Sequence, residues 1–250
     1  MRTIAVLTQK GGTAKTTTSA ALCAGLTRRG KRALAIDLDP QGNLSFVMRA
    51  DAQRPTVKEI MERKATAAQA IQKTPAGDII AASPALASAD KELTATGKEY
   101  RLREALEGMA GQYDYCVIDC PPSLGILTIN ALTAADGALI PSQPDALSLQ
   151  GVGALFETIR AVKTYCNPSL QVNGILLTRY SSRALINRDG ERKTEAAAAQ
   201  HGTKVYKTRI RETVSLREAQ TMRQDIFSYA PRSIGAADYN ALIDEIEMEG

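Results

Sequence analysis

The sequence predicts an α/β fold, a mostly parallel, twisted sheet with helices on both faces. Three observations lead there. Short apolar runs alternate with longer helical stretches nearly to the end of the 250 residues, the pattern of strands joined by crossover helices. The first run, Thr3-Ile4-Ala5-Val6-Leu7, reads as a buried strand, and the glycine turn Lys10-Gly11-Gly12-Thr13-Ala14-Lys15-Thr16-Thr17 joins it to an Ala/Leu-rich helix. Two further apolar runs end in carboxylates, at Asp37 and Asp119.

In order, a strand over about 3–8 leads through the glycine turn into a helix over about 15–29, where Ser19 to Leu26 is almost wholly small and apolar. Arg32 to Asp37 is the second strand. Residues 41–110 are helix-rich and less apolar, an insertion of the kind that contacts partners, with helices near 57–63, 85–95 and 100–110 and a strand near 78–82. A strand at 114–119 leaves through Pro121-Pro122, which force an extended exit toward Ser123-Leu124-Gly125. Helices at 126–134, 148–166, 190–200, 213–222 and 236–247 then alternate with strands at 137–141, 172–178 and 204–209. No linker-like composition, repeat or low-complexity tract interrupts the chain, so 1–250 is expected to be one domain.

Strand, glycine turn, Lys-Thr and helix form the context that a phosphate-binding loop requires. Backbone N–H groups of such a turn and of the helix N-terminus converge on one concavity and favour an anion. Lys15 is placed to reach the β/γ-phosphates and the Thr16 hydroxyl to hold Mg²⁺. Two features are unusual. Lys10 adds a second lysine at the mouth, which points to a second nucleotide and therefore to a second copy of the chain. Ala14 stands where such loops carry Gly, and its methyl is expected to crowd the closest backbone approach to phosphate unless the loop accepts Ala at negative φ.

The second element is Ile36-Asp37-Leu38-Asp39-Pro40-Gln41-Gly42-Asn43. Acids at a strand end beside a phosphate loop are where Mg²⁺ and an attacking water are managed. Asp37 and Asp39, alternating along the strand, are expected to face apart, one supporting the loop and metal, the other meeting the water near the γ-phosphate. The third element, Tyr115-Cys116-Val117-Ile118-Asp119-Cys120-Pro121-Pro122-Ser123, ends its strand in an acid fit to orient the Mg²⁺ shell.

Composition excludes several classes. The chain is 44% hydrophobic and 23% charged with net charge +4, ordinary for a globular protein. No apolar run approaches the roughly 20 residues of a bilayer span, and Met1-Arg2 lead straight into the first strand, so a cytoplasmic protein without a signal peptide is expected. Cys23, Cys116, Cys120 and Cys166 have no metal-ligand spacing and read as reduced thiols in apolar contexts. Eleven lysines and arginines lie from Arg179 to Arg223, followed by the acidic end Asp244-Glu245-Ile246-Glu247-Met248-Glu249. That distribution suggests a polyanion partner and disfavours a membrane-binding tail.

In combination, KGGTAKTTT, DLDPQGN and DCPPS resemble the ParA/MinD branch of deviant Walker P-loop ATPases, and within it the short ParA-type DNA-partition ATPases that lack an N-terminal helix-turn-helix domain. The resemblance extends to Gly174-Ile175-Leu176-Leu177-Thr178-Arg179-Tyr180 and Val214-Ser215-Leu216-Arg217-Glu218-Ala219. It implies a single P-loop NTPase domain that hydrolyses ATP with Mg²⁺, slowly without a partner. The resemblance further implies an ATP-sandwich dimer that binds DNA without sequence preference, lies on the nucleoid and is released when a ParB-like adaptor stimulates hydrolysis. By resemblance, Lys10 is the signature lysine that reaches the partner's phosphates, Lys15 the phosphate lysine, Thr16 the Mg²⁺ ligand, Asp39 the carboxylate needed for hydrolysis and Asp119 the Walker B acid. Thr178 and the segment from Arg209 to Arg211 lie where the family cradles adenine. Arg183 and the stretch from Arg211 to Arg217 lie near its DNA surface, and because Ser215 stands where many relatives are basic, the DNA contacts are expected at Arg211, Arg217 or Arg223.

A MinD-like positioning ATPase, acting at a membrane or on a protein cargo, is the alternative. It wants a basic amphipathic C-terminal helix, which the acidic end opposes. An iron–sulfur carrier of the same superfamily wants a cluster-ligating cysteine pair at a dimer interface, which Cys116 and Cys120 on a core strand do not supply.

Overall fold

The structure is a computed structural model that describes residues 1–51, 53–109, 111–181 and 185–249, leaving aside the side chains of 146–150 and 185–188. Its strands are β1 (Arg2–Val6), β2 (Ala33–Asp37), β3 (Ile71–Thr74), β4 (Gly77–Ile80), β5 (Tyr115–Asp119), β6 (Gly137–Ser142), β7 (Gln171–Tyr180) and β8 (Val205–Arg211). The α-helices are α1 (Lys15–Arg28), α2 (Asn43–Val47), α3 (Val57–Met61), α4 (Ala67–Ala70), α5 (Ala89–Glu92), α6 (Arg101–Glu107), α7 (Ile126–Ala134), α8 (Ala146–Tyr165), α9 (Leu185–Gln200), α10 (Val214–Thr221), α11 (Ile226–Tyr229) and α12 (Ile234–Met248).

All strands lie in one sheet of order β3-β4-β2-β5-β1-β6-β7-β8. Every neighbouring pair is parallel except β3 with β4. The mostly parallel α/β sheet expected from the sequence is therefore present. β2 is buried at every position and β5 at all but its first, which is why these strands read as continuous apolar runs rather than alternating ones. One core, on the side of α3 to α9, gathers Ala5, Leu34, Ile36, Ile118 and Leu155, among others. The other, beneath α1, α2 and α10 to α12, gathers Ile4, Val6, Leu22, Leu176 and Leu242. α1 packs close to α11 and α12 because Gly25 has no side chain: a Cβ there would lie 2.2 Å from Ile243 Cδ1.

Register sets the site. Val6 and Asp37 both lie opposite Asp119, so β1, β2 and β5 end at one level. The glycine turn leaving β1, the acidic turn leaving β2 and the Pro-Pro exit of β5 therefore emerge side by side, at the carboxyl edge where α/β sheets bind ligands.

α12 explains the acidic end of the sequence. Glu245 accepts from Lys207 N at 2.8 Å and Thr208 N at 3.1 Å, and Asp238 accepts from Arg211 N at 2.9 Å, so these acids cap the free edge of β8. Glu247 and Asp244 pair with Arg29 at 2.6 and 2.7 Å, and Glu249 pairs with Lys204. The acidic stretch is thus bound to the chain's own basic residues. The four cysteines are free thiols; Cys23, Cys116 and Cys120 are buried, and burial pushes those three upward in pKa.

Candidate functional site: a phosphate loop between three strand ends

β1 delivers the chain to Gly11 and Gly12, and α1 begins at Lys15. No side chain caps α1: its N-cap is Ala14, in the left-handed conformation at φ 62° and ψ 26°. The first-turn amides of α1 are left for a ligand, which is what an anion site at a helix N-terminus needs. The alternative in which the loop accepts Ala14 at negative φ is therefore excluded. An L residue in this region is disfavoured by contact of its Cβ with the carbonyl oxygen, and no side-chain cap offsets it.

Lys15 lies between two acids, its ammonium 3.5 Å from Asp39 and 3.4 Å from Asp119. Burial is the largest single influence and would lower the lysine pKa, but Asp119 and Asp39 together outweigh it and hold Lys15 above its ordinary value. Asp119 is fully buried and accepts from Thr16 Oγ1 at 2.7 Å and Ser19 Oγ at 2.9 Å. Burial pushes its carboxyl up, against the pull of Lys15 and of the two hydroxyls. Thr16 and Asp119 are thus already in contact at the foot of the loop. No group of three or more His, Cys, Asp or Glu side chains forms a metal cluster among the described residues. One hydroxyl and one carboxylate beside a phosphate cradle fit Mg²⁺, which keeps most of its waters and takes the rest of its shell from phosphate.

Asp37 and Asp39 do face apart, though not for the reason expected. Residues two apart on a strand share a face; these two separate because β2 ends at Asp37 and the chain turns. Asp37, expected as a metal ligand, is held away from the loop by other partners: it accepts from Ser45 N at 2.8 Å, Ser45 Oγ at 2.7 Å and Asp39 N at 3.1 Å, and it does not line the cavity over the loop. Ser45 Oγ in turn accepts from Ala82 N at 2.9 Å, tying the acidic turn to the segment after β4. Burial, with the charge of Asp119 adding to it, pushes the Asp37 carboxyl up to about 7.

A cavity of about 540 Å³ opens over the loop, lined by Lys10 to Thr17, Asp39, Asn43, Phe46, Val47 and Pro122 on one part. Arg179, Ile210 to Thr213 and four residues of α10 line the rest. The expected loop residues Gly11, Gly12, Thr13, Lys15, Thr16 and Thr17 thus converge there with Asp39 and Arg211.

Other expectations are corrected. Thr178 is buried and does not line the cavity: its hydroxyl donates to Thr13 O at 3.0 Å and Ser142 O at 3.3 Å, bracing the phosphate loop from β7. Arg209 turns away toward α9, where its Nε donates to Glu191 at 2.8 Å and its guanidinium also meets the carbonyls of Tyr206 and Lys207. Lys10, expected to serve the nucleotide of a second copy, also has a contact within its own chain, where it pairs with Asp145 at 2.9 Å. Of the arginines expected at a DNA surface, Arg211 is bound to Asp238 and Arg223 lies over the Phe46 ring at 4.7 Å, whereas Arg217 is exposed; Arg183 lies outside the described residues.

Several site residues escaped the sequence reading. Asn43 and Arg179 stood inside quoted motifs and carried a signal that position alone supplies. Phe46, Gln220, Asp145 and Asp238 carried none, because elements far apart in the chain bring them to the loop.

The AAA domain family matches residues 1–172. The chain is 42% identical over 253 residues to the sporulation initiation inhibitor protein Soj of Bacillus subtilis, covering 99% of this chain and 98% of that protein. It is 37% identical to the chromosome partitioning protein ParA of Caulobacter vibrioides, covering 98% and 94%. Among solved structures it resembles a cobyrinic acid a,c-diamide synthase of Mycobacterium smegmatis with bound ATP analogue and magnesium, at TM-score 0.85, 36% identity and coverage of 98% and 93%. A P-loop on a mostly parallel sheet, and near end-to-end similarity to Soj and ParA, place the chain in the ParA/Soj family of partition ATPases.

Proposed function

We propose that this chain is an ATP-dependent partition ATPase whose ATP-bound dimer binds DNA without sequence preference and is released when a ParB-like partner stimulates hydrolysis. The observation that carries the proposal is Lys15 between Asp39 and Asp119, with Thr16 on Asp119, at the base of an anion-ready helix N-terminus. ATP and Mg²⁺ are the ligands this donor set fits. The uncapped amides of α1 and the Lys15 ammonium bind the phosphates, and Thr16 and Asp119 hold the metal. When bound, Mg²⁺ neutralises charge on the phosphate oxygens.

Phosphate entering the loop takes Lys15 from the two acids. Asp39, released from that contact, is then free to orient the attacking water, while Asp119 retains its bonds from Thr16 and Ser19. Lys10 serves the partner's nucleotide, which requires it to leave Asp145. The whole chain, 1–250, works as one unit in this scheme, in the cytoplasm on DNA. The MinD-like alternative is the less favoured: α12 contains no lysine or arginine and its acids are bound to the chain itself, so it offers no basic amphipathic face. Among the described residues no helix is long and apolar enough to cross a membrane.

Phosphate release by the intact protein, with and without non-specific DNA and the product of a neighbouring small open reading frame, tests the reading. Hydrolysis should be slow alone and rise when both are added. Lys15→Ala should lose nucleotide, and Asp39→Ala should bind ATP yet lose turnover by about 10²–10⁴-fold, the range for a positioned catalytic group. Turnover by Asp39→Ala equal to wild type would exclude Asp39 as the hydrolytic residue.

A further inference from the structure

α10 forms one wall of the cavity through Leu216, Arg217, Gln220 and Thr221. It meets the phosphate-loop helix at a hydrogen bond in which Gln220 Nε2 donates to Thr17 Oγ1 at 2.6 Å. The polarity of that bond matters. An amide NH₂ can only donate, so the Thr17 hydroxyl is the acceptor and its own proton remains to be given elsewhere. No acceptor takes that proton among the described residues, and Thr17 lines the cavity one position beyond Thr16.

A second device fixes the helix that carries Gln220. Arg223 follows the C-cap of α10 at φ 53° and Arg49 follows the C-cap of α2 at φ 59°, both left-handed, as residues that end helices often are. Each arginine then serves the other helix. Arg223 Nε donates to Phe46 O at 2.8 Å, and its guanidinium stacks on the Phe46 ring at 4.7 Å. Arg49 Nε donates to Arg223 O at 2.8 Å and its Nη2 to Met222 O at 3.4 Å. Cations on helix C-terminal carbonyls are favourably placed. This reciprocal clasp joins α10 to α2, which begins four residues after Asp39.

We propose that Gln220 is a positioning residue of the nucleotide site: by donating to Thr17 it commits the Thr17 hydroxyl proton to a phosphate oxygen, and the Arg49–Arg223 clasp keeps Gln220 in reach. The inference rests on the nucleotide reading of the cavity given above. It makes the position of α10 and the occupancy of the phosphate loop one coupled equilibrium, so that anything holding α10 in place tightens nucleotide, and nucleotide in turn holds α10.

Equilibrium binding of a fluorescent ATP analogue with Mg²⁺ to the full chain tests this. Gln220→Met, similar in length but without a donor, should weaken binding by about fivefold to tenfold. Thr17→Val should weaken it at least as much, and the double variant should be no weaker than Thr17→Val alone, since both changes remove one interaction. Arg49→Ala should weaken binding in the same direction by a smaller factor. A merely structural role would instead give additive losses in the double variant. Wild-type affinity in Gln220→Met, or additive losses, overturns the proposal. Lys15→Ala separates this from the underlying reading: if it binds the analogue as tightly as wild type, the nucleotide site itself is misassigned and the role of Gln220 falls with it.

Discussion

Lys10 holds Asp145 of its own chain, with its ammonium 3.0 and 2.9 Å from the two carboxylate oxygens, across a sequence separation of 135 residues. The two side chains are 32% and 34% exposed, so the pair is accessible to solvent and breakable. A lysine reaching a partner's phosphates has to give this contact up. Asp145 is thus a competitor for the residue that would complete a dimer.

Asp145→Ala should therefore let the dimer form at lower ATP. A partly exposed ion pair contributes about 1 kcal/mol or less, so the ATP concentration at half-dimerisation should fall by no more than about fivefold. Lys10→Ala should still bind ATP but form no dimer. Light scattering across an ATP titration reads both. An unchanged ATP-dependent dimer in Lys10→Ala would sink the cross-subunit role, and an unchanged midpoint in Asp145→Ala would show that the pair does not compete.

Ala14 at φ 62° gives a stability prediction. The left-handed region costs an L residue about 1–2 kcal/mol. Replacing Ala by Gly removes that cost but adds about 0.4–1 kcal/mol of unfolded-state entropy. Ala14→Gly should be more stable by about 0.5–1 kcal/mol, raising the melting temperature of the nucleotide-free protein by about 1–4 °C. A lower melting temperature would mean that the loop does not hold this conformation in solution. Calorimetry with a non-hydrolysable ATP analogue adds a second reading: tighter binding, by up to about tenfold, would show that the methyl also meets phosphate.

The parts of this site that were legible in the sequence are those in which neighbouring residues do the chemistry. Lys15 and Thr16 follow a glycine turn after a strand, and Asp39 and Asp119 follow apolar runs, so periodicity and turn residues suffice to place them. β3, α2, α4 and α11 were not foreseen: each is four or five residues long and, unlike the equally short β1, β2 and β5, none carries a continuous apolar run. Thr178 and Arg209 were misplaced for a different reason. A strand position fixes which face a side chain leaves from, but Thr13 O, Ser142 O and Glu191, which capture these two, come from other elements. The acidic end was read as a charge pattern, whereas its role as the cap of β8 depends on α12 lying along that edge.

Asp37 should make the nucleotide-free protein less stable as pH rises. Its carboxyl titrates near 7 when folded, against an ordinary value of 3.8. Between those values the folded state binds a proton that the unfolded state has lost, so stability falls with increasing pH across that window and is flat with respect to this group above it. Asp119, also raised by burial, acts in the same sense. Asp37→Asn removes the titration at residue 37 and should flatten the decline between about pH 4 and pH 7. Urea midpoints at intervals across that range measure it. A wild-type midpoint that rises from pH 5 to pH 7, or a variant slope equal to wild type, would show that Asp37 ionises normally within the fold.

The arginines of the basic segment divide by what they already hold. Arg211 donates to Asp238 through Nε and Nη2, so its replacement frees a buried acid and loosens α12 from β8. Arg223 is half of the clasp with Arg49. Arg217, exposed on α10, has no side-chain partner among the described residues and can meet a phosphate without breaking anything. Arg217→Ala should therefore weaken DNA binding by the ATP-bound protein without lowering its melting temperature, while Arg211→Ala should lower the melting temperature. A dimer presents Arg217 twice, and each lost phosphate contact reduces the log–log salt slope by about 0.9, so the slope should become shallower by about 1.8. Fluorescence anisotropy of an arbitrary duplex at several salt concentrations, with ATP present, gives that slope. An Arg217→Ala slope equal to wild type would move the DNA contact off α10, with exposed Arg179 at the end of β7 as the next residue to replace.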